Sequence, residues 1–185
     1  MAQDKTELII AAARQVFIRY GYRRVTMADL AEAAHMSRPA LYLVFPSKEQ
    51  IFIEVVNDLT TTNLKTIREG LARLKTLDEK LAFAFEVWHV KPFELIQSSP
   101  DASDLYVSIK EVAPDVIMRG ANEFENLLTE ILDSSLPKKR SLKMTTQQIA
   151  RILRTSAKGF TNEAKTADDL RQLITDMRKI VLASL

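Results

Sequence analysis

Apolar residues recur along the chain at the three-to-four-residue spacing of helices. In residues 8–20 they come in pairs every four positions, which places them on one broad stripe of a helix. Similar patterns predict a helix over residues 81–90, which Pro92 is expected to kink or stop, a shorter one over 101–112, and one that starts at Pro114 and stops before Pro137. The pattern therefore predicts an all-α protein.

Polar residues three positions apart mark where further helices begin. In each pair the first side chain and the third following side chain can each accept a hydrogen bond from the other's backbone N–H. The pairs are Thr26 with Asp29, Ser47 with Gln50, Thr145 with Gln148, and Thr166 with Asp169. Ser37 is a further candidate cap, with Pro39 in the first turn. These signals predict helices at about 26–34, 37–44, 47–70, 145–165 and 166–185, the first two forming a helix-turn-helix braced by longer helices.

Composition narrows the classes of function. The 185 residues carry 26 basic and 24 acidic side chains, so no strong field marks the whole chain as bound to nucleic acid or membrane. The chain has only four glycines, which disfavours glycine-rich phosphate loops. It has no cysteine, which excludes thiol catalysis and cysteine metal sites. No apolar run approaches the roughly 20 residues that span a bilayer, and none fits a signal peptide. We therefore expect a soluble, cytoplasmic protein with no membrane partner.

Five segments between residues 8 and 52 carry a family resemblance. They are AAARQVF at 11–17, GY at 21–22, VTMADLA at 25–31, SRPALY at 37–42 and FPSKE at 45–49. Together they resemble the DNA-binding domain of the TetR family of transcriptional regulators. The resemblance implies a three-helix DNA-binding domain over residues 1–46 and a helical effector-binding and dimerisation domain over 47–185. It also implies a homodimeric, ligand-responsive repressor that binds a palindromic DNA operator and needs no cofactor.

The third helix is the one expected to enter the major groove, with its first residues against the base edges. Arg38 is the best base reader, because a guanidinium can donate two hydrogen bonds to guanine. Thr26, Tyr42 and Lys48 suit phosphates, as the matching positions do in the family. The full predicted DNA-binding set is Thr26, Ser37, Arg38, Pro39, Ala40, Tyr42, Leu43 and Lys48.

Three positions depart from the family pattern. His35 stands where the family usually has a glycine, in a turn that tends to need a left-handed backbone. Leu43 and Val44 stand where polar, basic or aromatic residues are common, and Leu43 would offer DNA only apolar contact, for instance with a thymine methyl. These departures keep open the alternative of a degenerate member that acts as a protein-interaction module.

Aromatic residues in the predicted helical domain over 47–185 suggest an apolar effector pocket, although ordinary core packing is an equal alternative. The candidate pocket residues are Phe85, Trp88, His89, Phe93, Tyr106 and Phe124, with His89 as the polar group. His89 and Glu86 also have the spacing of an acid–base pair or of two metal ligands. Without a third ligand or a nucleophile at a recognisable spacing, we expect no metal and no enzyme, and a helical enzyme is the least favoured alternative.

The last two predicted helices each carry an apolar stripe. Two helices from each of two subunits can pair as a symmetric four-helix interface. The alternative is that both stripes only close the core of one chain. The expected homodimer interface is therefore formed by residues 145–165 and 166–185.

Overall fold

The computed structural model describes residues 2–136 and 143–184, and in those ranges all regular structure is helical. The helices are α1 Ala2–Tyr20, α2 Met27–Ala33, α3 Arg38–Tyr42, α4 Lys48–Leu71, α5 Leu77–Phe85, α6 Lys91–Gln97, α7 Ala102–Val112, α8 Pro114–Ser135, α9 Thr146–Glu163 and α10 Ala167–Ser184. A π-helical turn, Glu86–Val90, joins α5 to α6. The all-α prediction is confirmed. None of the described helices combines the length and apolar content that crossing a membrane requires.

Local capping explains where several helices begin. The predicted reciprocal caps at Thr26 and Thr145 are both present, at the starts of α2 and α9. A third such cap, between Thr76 and Glu79, starts α5 at Leu77, four residues before the predicted position. The capping signal thus identified helix starts more closely than the apolar stripe did.

Of the two outcomes predicted for Pro92, a kink or a stop, the stop is contradicted, because helical structure continues through the proline to Gln97. Just before it, the N–H of Lys91 donates to the carbonyl of Glu86, five residues back, which is the hydrogen bond of a π turn. Proline lacks an N–H, and its ring crowds the carbonyl four residues earlier. The wider turn gives that ring room, so the chain is locally expanded and continues as helix.

The chain divides by packing into two compact units. The first unit comprises Met1–Thr61 and Leu95–Met118, and the second comprises Thr62–Glu94 and Arg119–Leu185. The functional division after residue 46 is not tested by this packing and stays a prediction. Helix α4 contributes Ile51 to the core of the first unit and Ile67 to the core of the second, and both side chains are fully buried.

Three rings form the centre of the first unit. Phe17 meets Phe52 edge to face with ring centroids 5.0 Å apart, and Tyr22 lies 4.6 Å from Phe52. Leu30 and Leu41 are buried in the same cluster. These contacts hold α1, α2 and α3 to the first turns of α4, so the position of α3 is fixed by a packed core.

Candidate DNA interface and effector site

Helix α3 is a short helix with one deeply anchored side chain. Leu41 is fully buried, whereas Arg38 and Pro39 are exposed and Tyr42 is 46% exposed. The hydroxyl of Ser37 caps the helix by accepting the N–H of Ala40 at 3.3 Å. The arrangement presents the amino-terminal residues of α3 to solvent, as a helix that reads base edges requires.

The turn before α3 has the expected left-handed residue. His35 has a φ of +53°, and among the described residues other than glycine it alone has a positive φ. The N–H of Met36 donates to the carbonyl of Ala31 at 2.9 Å, which closes the turn. The expectation that His35 takes the conformation usually given to glycine is confirmed.

Thr26 is occupied by its capping role and still faces solvent. Its hydroxyl donates to Asp29 at 2.8 Å, and the same carboxylate oxygen accepts the Thr26 N–H at 2.8 Å. These bonds hold the pKa of Asp29 below its ordinary value. A phosphate at the start of α2 would therefore meet an ordered turn, and this contact stays a prediction.

Lys48 has a structural contact that the sequence did not predict. Its Nζ donates to the carbonyl of Tyr22 at 3.0 Å and to that of Arg23 at 3.4 Å, and it lies 4.3 Å from the centroid of the Tyr22 ring. An ammonium group has three N–H donors, so one remains for a phosphate. The predicted phosphate contact remains compatible with this geometry, although Lys48 also ties the start of α4 to residues 22–23.

Asp104 on α7 binds the other side of the same dipeptide. Its Oδ2 accepts the N–H of Tyr22 at 2.6 Å and that of Arg23 at 2.9 Å. With Lys48 on the carbonyls, every backbone polar group of Tyr22 and Arg23 is bound by a side chain from another helix. We call this arrangement of Asp104, Lys48 and the dipeptide the turn clamp.

Gly21 is what lets Asp104 approach. It has a φ of +74°, and a Cβ at this position would lie 2.7 Å from Asp104 Oδ2. Gly21 entered the sequence prediction only as part of the GY segment, and Asp104 did not enter it at all. No local pattern joins an aspartate to a dipeptide more than 80 residues earlier.

Most of the candidate effector residues lie together in the second unit. Trp88 stacks on Phe124 with centroids 4.8 Å apart, and Phe85 meets Phe124 edge to face at 5.6 Å. Phe93 is buried in the same cluster. Tyr106 belongs to the first unit, where Lys110 Nζ lies 3.9 Å from its ring centroid. The rings are packed against one another, and their role in effector binding stays a prediction.

His89 lies at the edge of this ring cluster. Its ring centroid is 5.9 Å from those of Phe85 and Phe124, and its Nδ1 is 3.0 Å from the hydroxyl oxygen of Thr161. Burial, together with the charge of Arg154, lowers the pKa of His89 to about 4, so the imidazole is neutral at pH 7. Sequence reasoning missed Thr161, which approaches from α9.

Glu86 does not pair with His89. Its carboxylate accepts two hydrogen bonds from Arg171, at 3.0 and 3.1 Å, and Glu94 accepts a third from the same guanidinium at 2.8 Å. In the described part of the chain, no three histidine, aspartate or glutamate side chains are grouped to hold a metal ion. The geometry therefore gives no support to the acid–base alternative.

Helices α1, α2 and α3 pack together, and α3 is held to them by one buried side chain, Leu41, while its first residues are exposed. This arrangement is typical of the helix-turn-helix class of DNA-binding proteins. Comparison with known proteins shows what the amino-terminal part of the chain resembles. Residues 9–55 match the family described as bacterial regulatory proteins, tetR family. The match covers about a quarter of the chain, so it assigns this segment, and not the whole chain, to the family.

Individual relatives agree with this assignment. The HTH-type transcriptional regulator RutR of Escherichia coli K12 is 33% identical over 86 residues, which are 45% of this chain and 41% of RutR. The chain thus spans about two fifths of that relative's length. A transcriptional regulator from Cytophaga hutchinsonii shares the fold with a TM-score of 0.75 at 21% identity, covering 94% of this chain and 93% of that one. FadR of Thermus thermophilus, a TetR-family repressor solved with lauroyl-CoA, has a TM-score of 0.63 at 20% identity, covering 97% and 94%.

Proposed function

We propose that the protein is a cytoplasmic, ligand-responsive repressor that binds a palindromic operator as a homodimer. The observation that carries the proposal is the placement of α3, with Leu41 fully buried and Arg38 exposed beside the N-cap Ser37. A guanidinium there can reach base edges without disturbing the core. Tyr42 and Lys48 supply contacts to the flanking phosphates.

The proposed dimer interface uses α9 and α10. Each helix buries one side in the core of the second unit, yet Ile152 on α9 is 48% exposed and Ile180 on α10 is 70% exposed. Covering these side chains with a second copy would remove apolar surface from water. Two-fold symmetry would place two α3 helices on half-sites about 34–36 Å apart or at a larger helical spacing.

The proposed effector is a small, largely apolar molecule bound among the rings of the second unit. The lauroyl-CoA complex of the Thermus thermophilus repressor supports an effector with a large apolar part. Because α4 runs from the first core into the second, a ligand that shifts the α4 end near Ile67 would also act on the end that carries Lys48. A coupling of about 1–3 kcal/mol would change DNA affinity by about 5- to 150-fold.

The test is a titration of DNA from the promoter region beside the protein's own gene, followed by fluorescence anisotropy. We expect Arg38→Ala to lose affinity for the specific site and to leave binding to random DNA nearly unchanged. Arg73→Ala, which removes an exposed arginine from the second unit, is the matched control and should bind like the wild type. Equal losses on both DNAs for Arg38→Ala would remove its base-reading role.

A wild-type protein that binds no DNA would favour the protein-interaction alternative. Leu43 gives that alternative its one specific observation, because its side chain is 88% exposed at the end of α3. On DNA the same side chain would contact a thymine methyl group.

A further inference from the structure

One nitrogen of His89 is buried without a partner. Nε2 is excluded from solvent and has no hydrogen-bond partner among the described residues. Leaving a buried polar atom unpaired costs stability, so such atoms are rare in folded proteins. His89 also lies in the π turn, and turns of this kind occur frequently at functional sites.

The contacts of Thr161 decide which hydrogen the imidazole carries. The Thr161 hydroxyl donates to the carbonyl of Ala157 at 2.9 Å, so its oxygen is free to accept from His89 Nδ1 at 3.0 Å. This arrangement makes two hydrogen bonds. The opposite one, in which the hydroxyl donates to Nδ1, makes only one and buries an unpaired N–H. The neutral imidazole therefore carries its hydrogen on Nδ1, and Nε2 presents a lone pair.

Two aromatic rings adjoin His89, and the positive charge of Arg154 acts on it electrostatically. Phe85 stacks loosely on the imidazole, and Phe124 meets it at an interplanar angle of 73°. Arg154 raises the local positive potential, although its guanidinium is 2.7 Å from Glu125 and is thereby partly neutralised. Cationic ligands are disfavoured here, and flat, uncharged rings are favoured.

We infer that His89 Nε2 accepts a hydrogen bond from the effector, and that the effector is an uncharged aromatic compound with an O–H or N–H donor, such as a phenol or an indole. This rests on the proposed ligand-responsive function. Ethers, esters and ketones, which only accept hydrogen bonds, leave Nε2 unpaired and bind less tightly. Entry of the ring requires the side chains of Phe85, Trp88 and Phe124 to separate.

The experiment compares matched probes on the full chain by isothermal titration. Phenol is paired with anisole, and indole with 1-methylindole, because each pair differs in its donor and keeps its ring. We expect each donor compound to bind the wild type about tenfold more tightly than its methylated partner, the size of one hydrogen bond to a buried acceptor. In His89→Phe the preference should disappear.

A second variant keeps the test decisive if His89→Phe fails to fold. Thr161→Val removes the acceptor that fixes the hydrogen on Nδ1, so the donor preference should fall while the affinity for anisole stays unchanged. Nuclear magnetic resonance with ¹⁵N-labelled histidine gives an independent measurement, since the chain has only His35 and His89. Phenol should shift the Nε2 resonance of His89 and leave the exposed His35 unmoved.

Several results would overturn the inference. They are equal affinities within the matched pairs, binding of none of the four probes, a hydrogen on Nε2 in the free protein, and donor binding without a change at His89. Release of operator DNA by a compound lacking a donor would overturn it while the ligand-responsive function stood. A clear preference for the donor compounds without any effect on DNA binding would support the hydrogen bond to His89 and overturn the ligand-responsive function.

Discussion

Replacing Asp104 with alanine would open one side of the turn clamp. The substitution removes the acceptor of the Tyr22 and Arg23 N–H groups, which Asp104 Oδ2 binds at 2.6 and 2.9 Å. It also removes the carboxylate 3.3 Å from the Arg23 guanidinium. The carbonyl side of the dipeptide, bound by Lys48, would remain. The change therefore removes the contribution of α7 to the turn between α1 and α2, together with a 3.3 Å hydrogen bond that the Ser108 hydroxyl donates to Asp104 Oδ1.

The size of the effect follows from the burial of the two amides. A hydrogen bond to a charged group contributes about 1.5–3 kcal/mol, and a buried donor left unpaired costs about 1–3 kcal/mol. The Tyr22 amide is partly buried and keeps no acceptor, whereas the Arg23 amide is exposed and can bind water. We therefore expect Asp104→Ala to reduce the free energy of unfolding by about 2–4 kcal/mol, and Asp104→Asn, which keeps a neutral acceptor, by about 1–2 kcal/mol.

The assay is urea unfolding followed by circular dichroism, combined with amide hydrogen exchange at residues 22 and 23. Glu111→Ala is the matched control, because Glu111 lies on the same helix and pairs with the same arginine at 3.8 Å but is exposed. An exposed pair of this kind contributes about 0–1 kcal/mol. We expect faster exchange at Tyr22 in Asp104→Ala and no change there in Glu111→Ala.

Equal free energies of unfolding for Asp104→Ala and Glu111→Ala would refute the reasoning, because the carboxylate of Asp104 would then act only as another surface charge. Unchanged exchange at Tyr22 in a destabilised Asp104→Ala would also refute it. In that case the loss would come from packing of α7 and the amide hydrogen bonds would contribute nothing.

Three further outcomes test other parts of the molecule. Arg38→Ala should cost about 1–3 kcal/mol on the specific operator, whereas Lys48→Ala should weaken binding to all DNA and lower the salt slope by about one, both measured by anisotropy. Sedimentation at micromolar concentration should show a dimer for the wild type and a monomer for Ile180→Glu, and a dimeric variant would place the interface elsewhere. The pKa of His89 is about 4 in the folded state and about 6.5 when unfolded, so the unfolded chain binds more protons between these values and stability falls as the pH falls. Between pH 7 and pH 5 the wild type should lose about 2 kcal/mol more than His89→Phe in urea unfolding, and identical pH profiles would contradict the burial of the ring.

The sequence predicted the features that depend on neighbouring residues. The caps at Thr26 and Thr145 involve residues three positions apart, so both partners are visible in one short stretch. The left-handed conformation of His35 was expected from the family resemblance, because the TetR family usually has a glycine at this place in the turn. The start of α5 was predictable in the same way as the caps, from Thr76 and Glu79, whereas the apolar run that follows begins only at Leu81.

Contacts between residues that lie far apart along the chain could not be predicted from the sequence. The bonds from Asp104 to Tyr22 and from Thr161 to His89 each join residues more than 70 positions apart, and no spacing rule connects them. Lys48 was assigned to DNA because a lysine at that place suits a phosphate, and its contacts with two carbonyls appear only in the folded chain. The π turn before Pro92 depends on how the helix continues beyond the proline, which the proline alone does not determine.

The turn clamp also limits how segments of this protein can be exchanged with those of related proteins. A chimaera that joins residues 1–61 of this protein to the remaining part of a related protein would contain Tyr22, Arg23 and Lys48 but would lack Asp104. In that chimaera the backbone amides of Tyr22 and Arg23 would have lost their acceptor, however well the two parts were joined. A stable chimaera would have to include residues 95–118 together with residues 1–61, even though the two stretches are separated in the gene. The exchangeable module of this protein is therefore discontinuous.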